Sequence, residues 1–549
     1  MYIRKKKWKK GTAIQIVNSK RINWKPRQTV LKHIWTWKTD KEIKDLIKAA
    51  KYIQHQLETQ WQTTLIPLEK LDVQVIENNK NKNFKVNIYD IEEEWRIIKW
   101  VNDIYWTMYE QLNFNSIFWN KQKTQNYAKV LKQITLARTV SPKSKRASVE
   151  MLDKDYGIQI NLQAVYDMMW AIDDKKIDEI QCIAFNYTKT ILDEKINVLF
   201  MDWTTLYFES QEEDWFREKW YSKDWKFNEV QVCLTLLVTE SGLPVWYKLY
   251  NWKHYEGDSL KDLIEEIEKK YEVNKVILVA DSWFLNMENI DYLEEKWNKY
   301  VLWARIKNTT KSLQEQITDK SQYTITEKDE NWEMLTWYRE LDYKWKRMIV
   351  TYSKKRAIKD RKDREKNIEK LLKKQWKKID DLISNFGYKK YLKQVGDTKV
   401  EIDEEKVKKA EKWDWLHGVI TNDKTAEVKG VIGCYKWLWQ VEESFRINKH
   451  DLLIRPIYHW TEQKIRAHIA IAFMAFTLVR HLEYRLKLHW YNYSPRVIRE
   501  ELLRVQWSII FDKKNPKKKR LLPSNISWIW QSIYKVMWKK RIRQVQDLV

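Results

Sequence analysis

Three carboxylates have the residue types and the positions expected of a metal-dependent phosphodiester site. Asp202 and Asp281 each follow an apolar run typical of a buried strand, and Glu442 lies in a predicted helix much later in the chain. Converging carboxylate oxygens form a hard site suited to Mg²⁺ or Mn²⁺, with waters and a substrate phosphate completing the coordination. Two such ions about 4 Å apart activate a water or a 3′-hydroxyl on one side of a phosphodiester and stabilise the leaving oxygen on the other.

The elements that must bring the two aspartates together lie between residues 194 and 308. Apolar runs and turn residues predict the order β-β-β-α-β-α-β, with strands at 195–201, 230–239, 244–250, 274–280 and 300–306 and helices at 258–271 and 287–296. This is the order of an α/β fold with an RNase H-like mixed sheet, in which the first and fourth strands lie side by side. A single aspartate after a strand is usually a cap or turn residue. Two on these strands, together with a helical glutamate, favour the catalytic interpretation.

The predicted helix around Glu442 carries two further candidates at regular spacing. Tyr435, Glu442 and Lys449 are separated by seven residues each, which predicts that all three share one helical face. Lys449, roughly 10 Å beyond Glu442 along such a helix, would reach the next phosphate of a bound strand. The alternative is that Lys449 is an exposed solubilising residue. Arg446 and Arg455 are either further phosphate contacts or members of ordinary ion pairs.

Composition changes along the chain predict five segments. A basic, mainly helical DNA-binding region spans 1–190, and the core spans 191–308 and 416–500, interrupted by an α+β insertion at 309–415 and followed by a basic tail at 501–549. Within the first segment, Asn23-Trp24 predicts a hairpin, and residues 91–112 and 158–169 have helical spacing. The charged run 354–382 is read as a solvated helix, and 513–520 as a solvated loop or a phosphate-binding segment.

The charge of the chain indicates a polyanionic partner. Its net charge is +26, spread over several runs of lysine and arginine, which suits a long nucleic-acid contact better than one small anion site. A basic membrane-surface protein is the competing interpretation. No apolar stretch reaches the roughly 18 residues of a membrane span, and residues 467–479 are read as a buried helix. The first ten residues are charged with no apolar run after them, which argues against secretion, and no membrane partner is expected.

Cysteine and histidine spacing does not predict a zinc site or a disulfide framework. Cys182, Cys233 and Cys434 lie far apart, which indicates a reducing, cytoplasmic home. The closest histidine group is spaced by nine residues, so its members do not share one helical face. We interpret these histidines as structural or phosphate-contacting residues: His450, His459 and His468.

Tryptophan is abundant where turns need glycine. The chain has 33 tryptophans and 9 glycines, and four tryptophans stand in turn-like contexts: Trp24, Trp225, Trp252 and Trp297. We hypothesise that most of the tryptophans are glycine codons read under the wrong genetic code, for instance UGA. Glycine or another small residue is also expected at Trp203, Trp246, Trp283 and Trp437, whereas Trp439 is expected to be authentic. The alternative is a genuinely tryptophan-rich protein.

Taken together, these motifs resemble bacterial insertion-sequence transposases of the DDE type. The resemblance is carried by residues 201–210, by Val279-Ala-Asp281, by Tyr435-x6-Glu442-x6-Lys449, by 443–446 and by 455–459. It is strongest to the branch with a β-rich insertion before the glutamate and a Tyr-x2-Arg-x3-Glu-x6-Lys signature. One departure is that Leu438 stands where that branch has its arginine, so Arg446 is a candidate to replace it.

The resemblance implies both a mechanism and partners. Asp202, Asp281 and Glu442 would be the catalytic ligands of two Mg²⁺ or Mn²⁺ ions, and Tyr435 and Lys449 would contact the DNA strand. The implied reaction is hydrolysis at the ends of the element, then attack of the freed 3′-hydroxyl on target DNA. The implied partners are double-stranded DNA and a second copy of the chain in a synaptic homodimer, at the nucleoid in the cytoplasm. Two alternatives stay open: an RNase H-like nuclease or resolvase without strand transfer, and a non-catalytic DNA-binding remnant.

Overall fold

The fold is known from a computed structural model of the 549-residue chain. The structure describes residues 2–8, 11–22, 25–37, 47, 90–98, 100–118, 122–192, 196, 198–210, 212–219, 229–250, 264–266, 269, 277–280, 287–296, 299–327, 336–372, 390–395, 399–436, 439–524, 527–537 and 546–548.

The chain begins with an antiparallel sheet of three strands: β1 (Tyr2–Trp8), β2 (Gly11–Ile22) and β3 (Lys25–Trp37). The last residue of β2, Ile22, pairs with the first residue of β3, Lys25. This antiparallel pairing of β2 with β3 is the one expected of the predicted hairpin, and Asn23-Trp24 themselves lie outside the described residues. The start of the chain is thus built of strands rather than helices.

A helical body follows a single strand. The strand is β4 (Ile91–Ile97), and the helices are α1 (Trp100–Gln111), α2 (Gln122–Val140), α3 (Lys145–Tyr156), α4 (Leu162–Trp170) and α5 (Asp174–Ile191). The helical prediction is confirmed from residue 100 but is wrong for 91–97. Its glutamates favour a helix, yet these residues form a strand because they pair with a strand more than 400 residues later in the chain.

The large sheet at the centre of the protein has ten strands. Its members are β5 (Val198–Tyr207), β6 (Glu218–Lys219), β7 (Val230–Thr239), β8 (Pro244–Tyr250), β9 (Ile277–Ala280), β10 (Lys299–Ala304), β11 (Thr324–Glu327), β12 (Thr336–Tyr343), β13 (Lys346–Ser353) and β16 (Leu416–Thr421). Their order is β11-β12-β13-β16-β10-β9-β5-β7-β6, and β8 pairs with the free side of β7.

The directions of these strands match the order predicted from sequence. β5 runs parallel to β9, and β9 runs parallel to β10, whereas β7 is antiparallel to both β5 and β8. The first and fourth strands of the predicted unit are therefore neighbours, as expected. One boundary is wrong, because β5 does not end at Asp202 but continues to Tyr207, where its outer half pairs with β7. The predicted helix at 258–271 lies mostly outside the described residues.

The insertion contributes to the central sheet instead of folding apart from it. β13 pairs with β16, and β16 pairs with β10, so the three insertion strands extend the same sheet. The remaining described elements are α6 (Met287–Glu295), α7 (Lys311–Thr318), α8 (Lys354–Leu372), β14 (Leu392–Val395), β15 (Lys399–Ile402) and α9 (Glu404–Glu411). The α+β composition of the insertion is as predicted, and the described part of the charged run is helical up to residue 372.

The C-terminal part is structured rather than a tail. It consists of α10 (Val428–Lys436), α11 (Trp439–Arg446), a π-helical turn (Ile447–Asp451), α12 (Glu462–Leu488), α13 (Pro495–Arg504), β17 (Trp507–Asp512), β18 (Asn515–Pro523), α14 (Trp528–Val536) and β19 (Gln546–Leu548). The last three strands join β4 in a sheet ordered β19-β18-β17-β4.

This sheet overturns the prediction that 513–520 is a solvated loop, whereas phosphate binding by this segment stays a prediction. These residues form a hairpin, and three of its lysines bridge to acidic residues of the β4 region. The pairs are Lys513–Glu92 at 3.1 Å, Lys514–Asp90 at 2.6 Å and Lys519–Glu94 at 2.5 Å. The positive run thus faces an acidic strand of the same chain, a long-range partner that sequence proximity does not reveal.

The apolar helix predicted at 467–479 is the central part of α12. This helix is long and apolar enough to span a membrane by length and composition, but 94% of its most apolar window is buried inside the protein. Its residues pack against α2, α4, α5 and β8, so it is the core helix on which the helical body and the sheet meet. The prediction of a buried helix is confirmed.

Three tryptophans adopt the left-handed backbone conformation that glycine usually supplies: Trp345 (φ 68°), Trp415 (φ 48°) and Trp490 (φ 67°). Lys344-Trp345 is the two-residue loop of the β12–β13 hairpin, with positive φ at both positions, which is where Asn-Gly normally stands.

Trp490 follows the C-terminus of α12. The N–H of Trp490 donates to Lys487 O and that of Tyr491 to Leu486 O, the pair of bonds of a Schellman motif whose left-handed residue is usually glycine. Four further turn tryptophans singled out from sequence, at 24, 225, 252 and 297, lie outside the described residues, as do Trp283 and Trp437. Trp246 is a fully buried core residue.

Candidate active site

The two strands expected to carry the aspartates are β5 and β9, and the residues that directly precede the two aspartates are paired with each other. Met201 of β5 is the partner of Ala280 of β9 in a parallel ladder. Asp202 follows the first of these residues and Asp281 follows the second in sequence, although Asp281 itself lies outside the described residues. Because neighbouring strands lie about 4.8 Å apart, Asp202 lies beside the point at which the chain continues from Ala280 towards Asp281.

Asp202 lies half-buried within β5. The backbone N–H of Trp203 donates to its Oδ1 at 2.8 Å, which fixes the orientation of the carboxylate. Burial, with a smaller contribution from the negative charge of Asp202, raises the pKa of the Cys233 thiol well above its ordinary value. Cys233 is therefore a neutral core residue rather than a candidate ligand.

Glu442 lies on α11, a helix that packs against β5 and β7. The helix turns Val441, Ser444 and Phe445 inward, so that Glu442 is exposed. Its carboxylate forms no hydrogen bond or ion pair with any other described residue. The carboxylate of the next residue, Glu443, is instead held by Arg446, whose Nε donates to Oε2 at 3.1 Å.

These contacts assign different roles to Arg446 and Glu442. The hydrogen bond that Arg446 donates to Glu443 raises the pKa of Arg446 above its ordinary value, so the guanidinium is fixed as a cation one turn from Glu442. Glu442 keeps all its carboxylate oxygens available for another ligand. Among the residues that the structure describes, no group of three or more His, Cys, Asp or Glu could hold a metal ion.

The backbone around Lys449 differs from the α-helix assumed in its prediction. Residues Ile447–Asp451 form a π-helical turn, in which the N–H of Leu452 donates to Ile447 O at 2.9 Å. The wider turn shifts Lys449 out of the regular seven-residue phase relative to Glu442. Lys449 is half-buried, and Tyr435 lies in α10 with its side chain outside the described part of the structure.

Arg455 lies beside the far end of β5. Its guanidinium carbon is 5.1 Å from the centroid of the Tyr207 ring, and the peptide bond that follows it, to Pro456, is cis. The N–H of Ile457 donates to Tyr207 O at 3.2 Å, and Ile457 forms a parallel bridge with Phe208. The strand that bears Asp202 is thereby connected to a segment bearing Arg455, which places a cation at the far end of that strand.

Sequence reasoning missed a group of basic side chains that follows this segment. His459 and His468 contact each other, with ring centroids 5.3 Å apart, and Arg138 Nη2 lies 3.5 Å from His468 Nε2. The buried Lys145 completes the group. The nine-residue spacing of the histidines was a signal, but Arg138 and Lys145 lie more than 300 residues earlier in the chain. His450, the third histidine of the predicted set, is exposed.

Comparison with known proteins identifies one family. Residues 193–478, just over half of the chain, match the family model described as a transposase DDE domain. No curated protein matches the chain. Among solved structures, the chain is similar to the piggyBac transposase in its synaptic complex with hairpin DNA, with 8% sequence identity and a TM-score of 0.38. That alignment covers 74% of this chain and 78% of the other.

Proposed function

This chain belongs to the family defined by the transposase DDE domain, and from that premise we propose that it is a DNA transposase with an RNase H-like catalytic core. In the proposed reaction water attacks a phosphodiester at a transposon end, and the bond to the 3′ oxygen breaks. The freed 3′-hydroxyl then attacks a phosphodiester of target DNA, joining the two strands. The observation that carries this proposal is the register of β5 and β9, which brings the chain to Asp202 and towards Asp281 at one edge of the sheet.

The residues proposed to hold two Mg²⁺ or Mn²⁺ ions are Asp202, Asp281 and Glu442. They fit such ions because the set offers carboxylate oxygens only, and because Glu442 is exposed with no partner among the described residues. When bound, the ions would supply Lewis-acid stabilisation of the attacking and leaving oxygens. The protein's own contribution is to fix the orientation of Asp202 through the Trp203 N–H and to present Glu442 on a helix anchored to the same strand.

We further propose that basic residues around this edge bind the DNA backbone. Lys449 lies on the π-helical turn after the helix of Glu442, and Arg455 lies beside Tyr207 at the far end of β5. Arg446 is already paired with Glu443, so its proposed phosphate contact requires sharing or release of that pair. The contact proposed for Tyr435 follows from the family signature. The proposed partners are the transposon ends, target DNA and a second copy of the chain, at the nucleoid.

A cleavage assay with separate binding and joining measurements tests the proposal. Duplexes that carry the element's own ends should be cut by the wild-type protein with Mg²⁺, and Asp202→Asn should lose cleavage while binding the duplex normally. The matched control is Glu443→Gln, next to Glu442, which should leave cleavage within a few-fold. Binding by Asp202→Asn with wild-type cleavage would contradict the proposal.

Pre-cut ends separate transposase chemistry from the two alternatives. A transposase should join a pre-cut 3′-hydroxyl end to target DNA, whereas an RNase H-like nuclease or resolvase would cut but not join. A DNA-binding remnant would bind without either reaction. The observation that favours the remnant is that an indole follows Asp202 directly in sequence, although the Trp203 side chain packs on the apolar cluster that contains Met201 and Cys233. The joining assay should therefore include Trp203→Gly.

A further inference from the structure

Four basic side chains from three parts of the chain meet behind the segment that follows Arg455. Arg138 comes from the end of α2, Lys145 is the first residue of α3, His459 precedes α12, and His468 lies within α12. Arg138 Nη1 donates to Leu452 O at 2.9 Å and to Leu453 O at 3.2 Å, which ties the group to the loop. We call this group the basic pocket.

The side chains of the basic pocket are buried without an acidic partner among the described residues. Arg138, Lys145 and His468 are each no more than 5% exposed. Burial and mutual repulsion lower the pKa of Lys145 and of His468 well below their ordinary values, and that of His459 to about 3. No carboxylate of the described residues contributes to any of these shifts. Such an arrangement lowers the stability of the folded protein when no anion is bound, because burial and nearby positive charge both penalise protonated side chains.

Two polar groups of the pocket also lack a partner within the described part of the chain. The ring of His468 uses Nε2, 3.2 Å from Ile454 O, whereas its buried Nδ1 has no hydrogen-bond partner. The ammonium of Lys145 likewise forms no hydrogen bond or ion pair with a described residue. Lys145 also begins α3, whose N-cap Ser144 accepts from the N–H of Ala147, so the positive end of the helix dipole lies at the same place.

We propose that the basic pocket is an anion site that receives a backbone phosphate of the bound DNA, away from the phosphate being cut. An anion would supply the countercharge that the described residues lack and would accept hydrogen bonds from Lys145, His459 and the start of α3. His459 is half-buried and is the most accessible member, whereas Arg138, Lys145 and His468 are buried. The proposal rests on the proposed DNA-transposase function for the identity of its ligand.

The position of the pocket fits a second contact on the same DNA. β5 runs from Asp202 to Tyr207, about 17 Å at 3.3 Å per residue, and Tyr207 is bonded to Ile457, two residues before His459. At 3.4 Å per nucleotide of one strand, this corresponds to about five nucleotides. A duplex that extends at least ten base pairs on each side of the cut therefore covers both sites.

Substitution of Lys145 tests the proposal, because it should change stability and binding in opposite directions. Lys145→Met removes a buried cation, so the thermal midpoint of the free protein should rise, whereas affinity for the duplex should fall at least tenfold at moderate salt. The slope of log K against log salt should become shallower by about 0.9, the loss of one phosphate contact. Arg146→Gln is the matched control, because Arg146 follows Lys145 but is exposed and pairs with Glu150 at 3.5 Å on the surface of the same helix. This variant should retain the wild-type midpoint and affinity.

Failure of the proposed anion site can be distinguished from failure of the proposed transposase function. Inorganic phosphate, used as a probe without DNA, should raise the thermal midpoint of the wild-type protein more than that of Lys145→Met. Unchanged affinity and salt slope in Lys145→Met would overturn the pocket, as would a lowered midpoint, which would make Lys145 a structural residue. Absence of cleavage by the wild-type protein, with the Lys145 effects present, would instead overturn the transposase proposal and leave the anion site standing.

Discussion

The acidic edge, formed by Asp202, Glu442 and the end of β9 before Asp281, differs from the basic pocket in how far its ionisable side chains are exposed to water. Glu442 is exposed, so water solvates its charge when nothing else is bound. Lys145 is 5% exposed, and the positive charge of Arg138 lies close to it. Substitutions at the acidic edge should therefore change mainly the reaction rate. The basic pocket should be detected in both stability and binding.

The largest expected effect is on the acidic side of this comparison. Glu442→Gln should lower the rate of end cleavage by roughly 10³-fold, because loss of a ligand removes about 4 kcal/mol of transition-state stabilisation. The thermal midpoint should change little, since the Glu442 carboxylate makes no contact within the described residues. Cleavage rates under single-turnover conditions and a melting curve measure both quantities. A fall in midpoint large enough to explain the rate would contradict the contrast with the pocket.

A smaller effect, on the basic side, is a pH dependence of stability. Burial and the nearby cations Lys145, Lys464 and Arg138 lower the pKa of His459 to about 3 in the folded protein, whereas the unfolded chain protonates near pH 6.5. The unfolded state therefore binds the extra proton first, so stability falls as pH drops below about 6.5 and continues to fall towards pH 3.

His459→Gln measures this dependence, because glutamine does not titrate. Between pH 7.5 and 5 the thermal midpoint of the wild-type protein should fall more than that of His459→Gln. His468 and His481, whose pKa values are also lowered by burial, remain in both proteins and supply the residual slope. Bound duplex should reduce the difference, since a phosphate favours protonated His459. Identical slopes for the two free proteins would remove His459 from the pocket.

The smallest expected effect concerns a tryptophan that holds a left-handed backbone conformation usually occupied by glycine. Trp490 is 65% exposed and holds the left-handed position of the Schellman motif after α12. Trp490→Gly should raise the free energy of unfolding by about 1 kcal/mol, the usual cost of that conformation for a residue with a Cβ. Trp528 is the control, being 66% exposed at the start of α14; Trp528→Gly should not stabilise.

The tryptophans in left-handed conformations also allow a prediction about the codons of the gene. If the glycine-codon hypothesis holds, positions 345, 415 and 490 are encoded by UGA. Glycine there would place the residue without a Cβ at three left-handed positions, as at Gly157 and Gly242. UGG codons at these three positions, together with no stabilisation in Trp490→Gly, would establish a tryptophan-rich protein instead.

Much of the core was predictable because its signals are local. The limits of β7 and β8 follow from apolar runs bounded by turn residues, and the neighbouring positions of β5 and β9 follow from the order of elements. The central apolar helix was identified by its length and flanking arginines. These features depend on periodicity within a dozen residues, which a single sequence displays directly.

The elements that could not be predicted depend on partners far away in sequence. Residues 91–97 form a strand because β17 pairs with them, and Lys513, Lys514 and Lys519 form ion pairs with acids of the β4 region. The phase of Lys449 changes through a π-helical turn that has no sequence signature. The basic pocket joins residues 138 and 145 to residues 459 and 468, so only the folded chain reveals it.

The most direct test of the central claim is a map of where a bound cation sits among the three carboxylates. With Fe²⁺ in place of Mg²⁺, hydrogen peroxide is reduced by the ion to hydroxide and a hydroxyl radical, ascorbate returns the resulting Fe³⁺ to Fe²⁺, and the radicals cut the backbone near the ion. We expect cuts near residues 202, 281 and 442 in the wild-type protein, suppressed by excess Mg²⁺ and lost in Asp202→Asn. Cuts that avoid any of these three regions, or that persist unchanged in Asp202→Asn, would contradict a shared metal site.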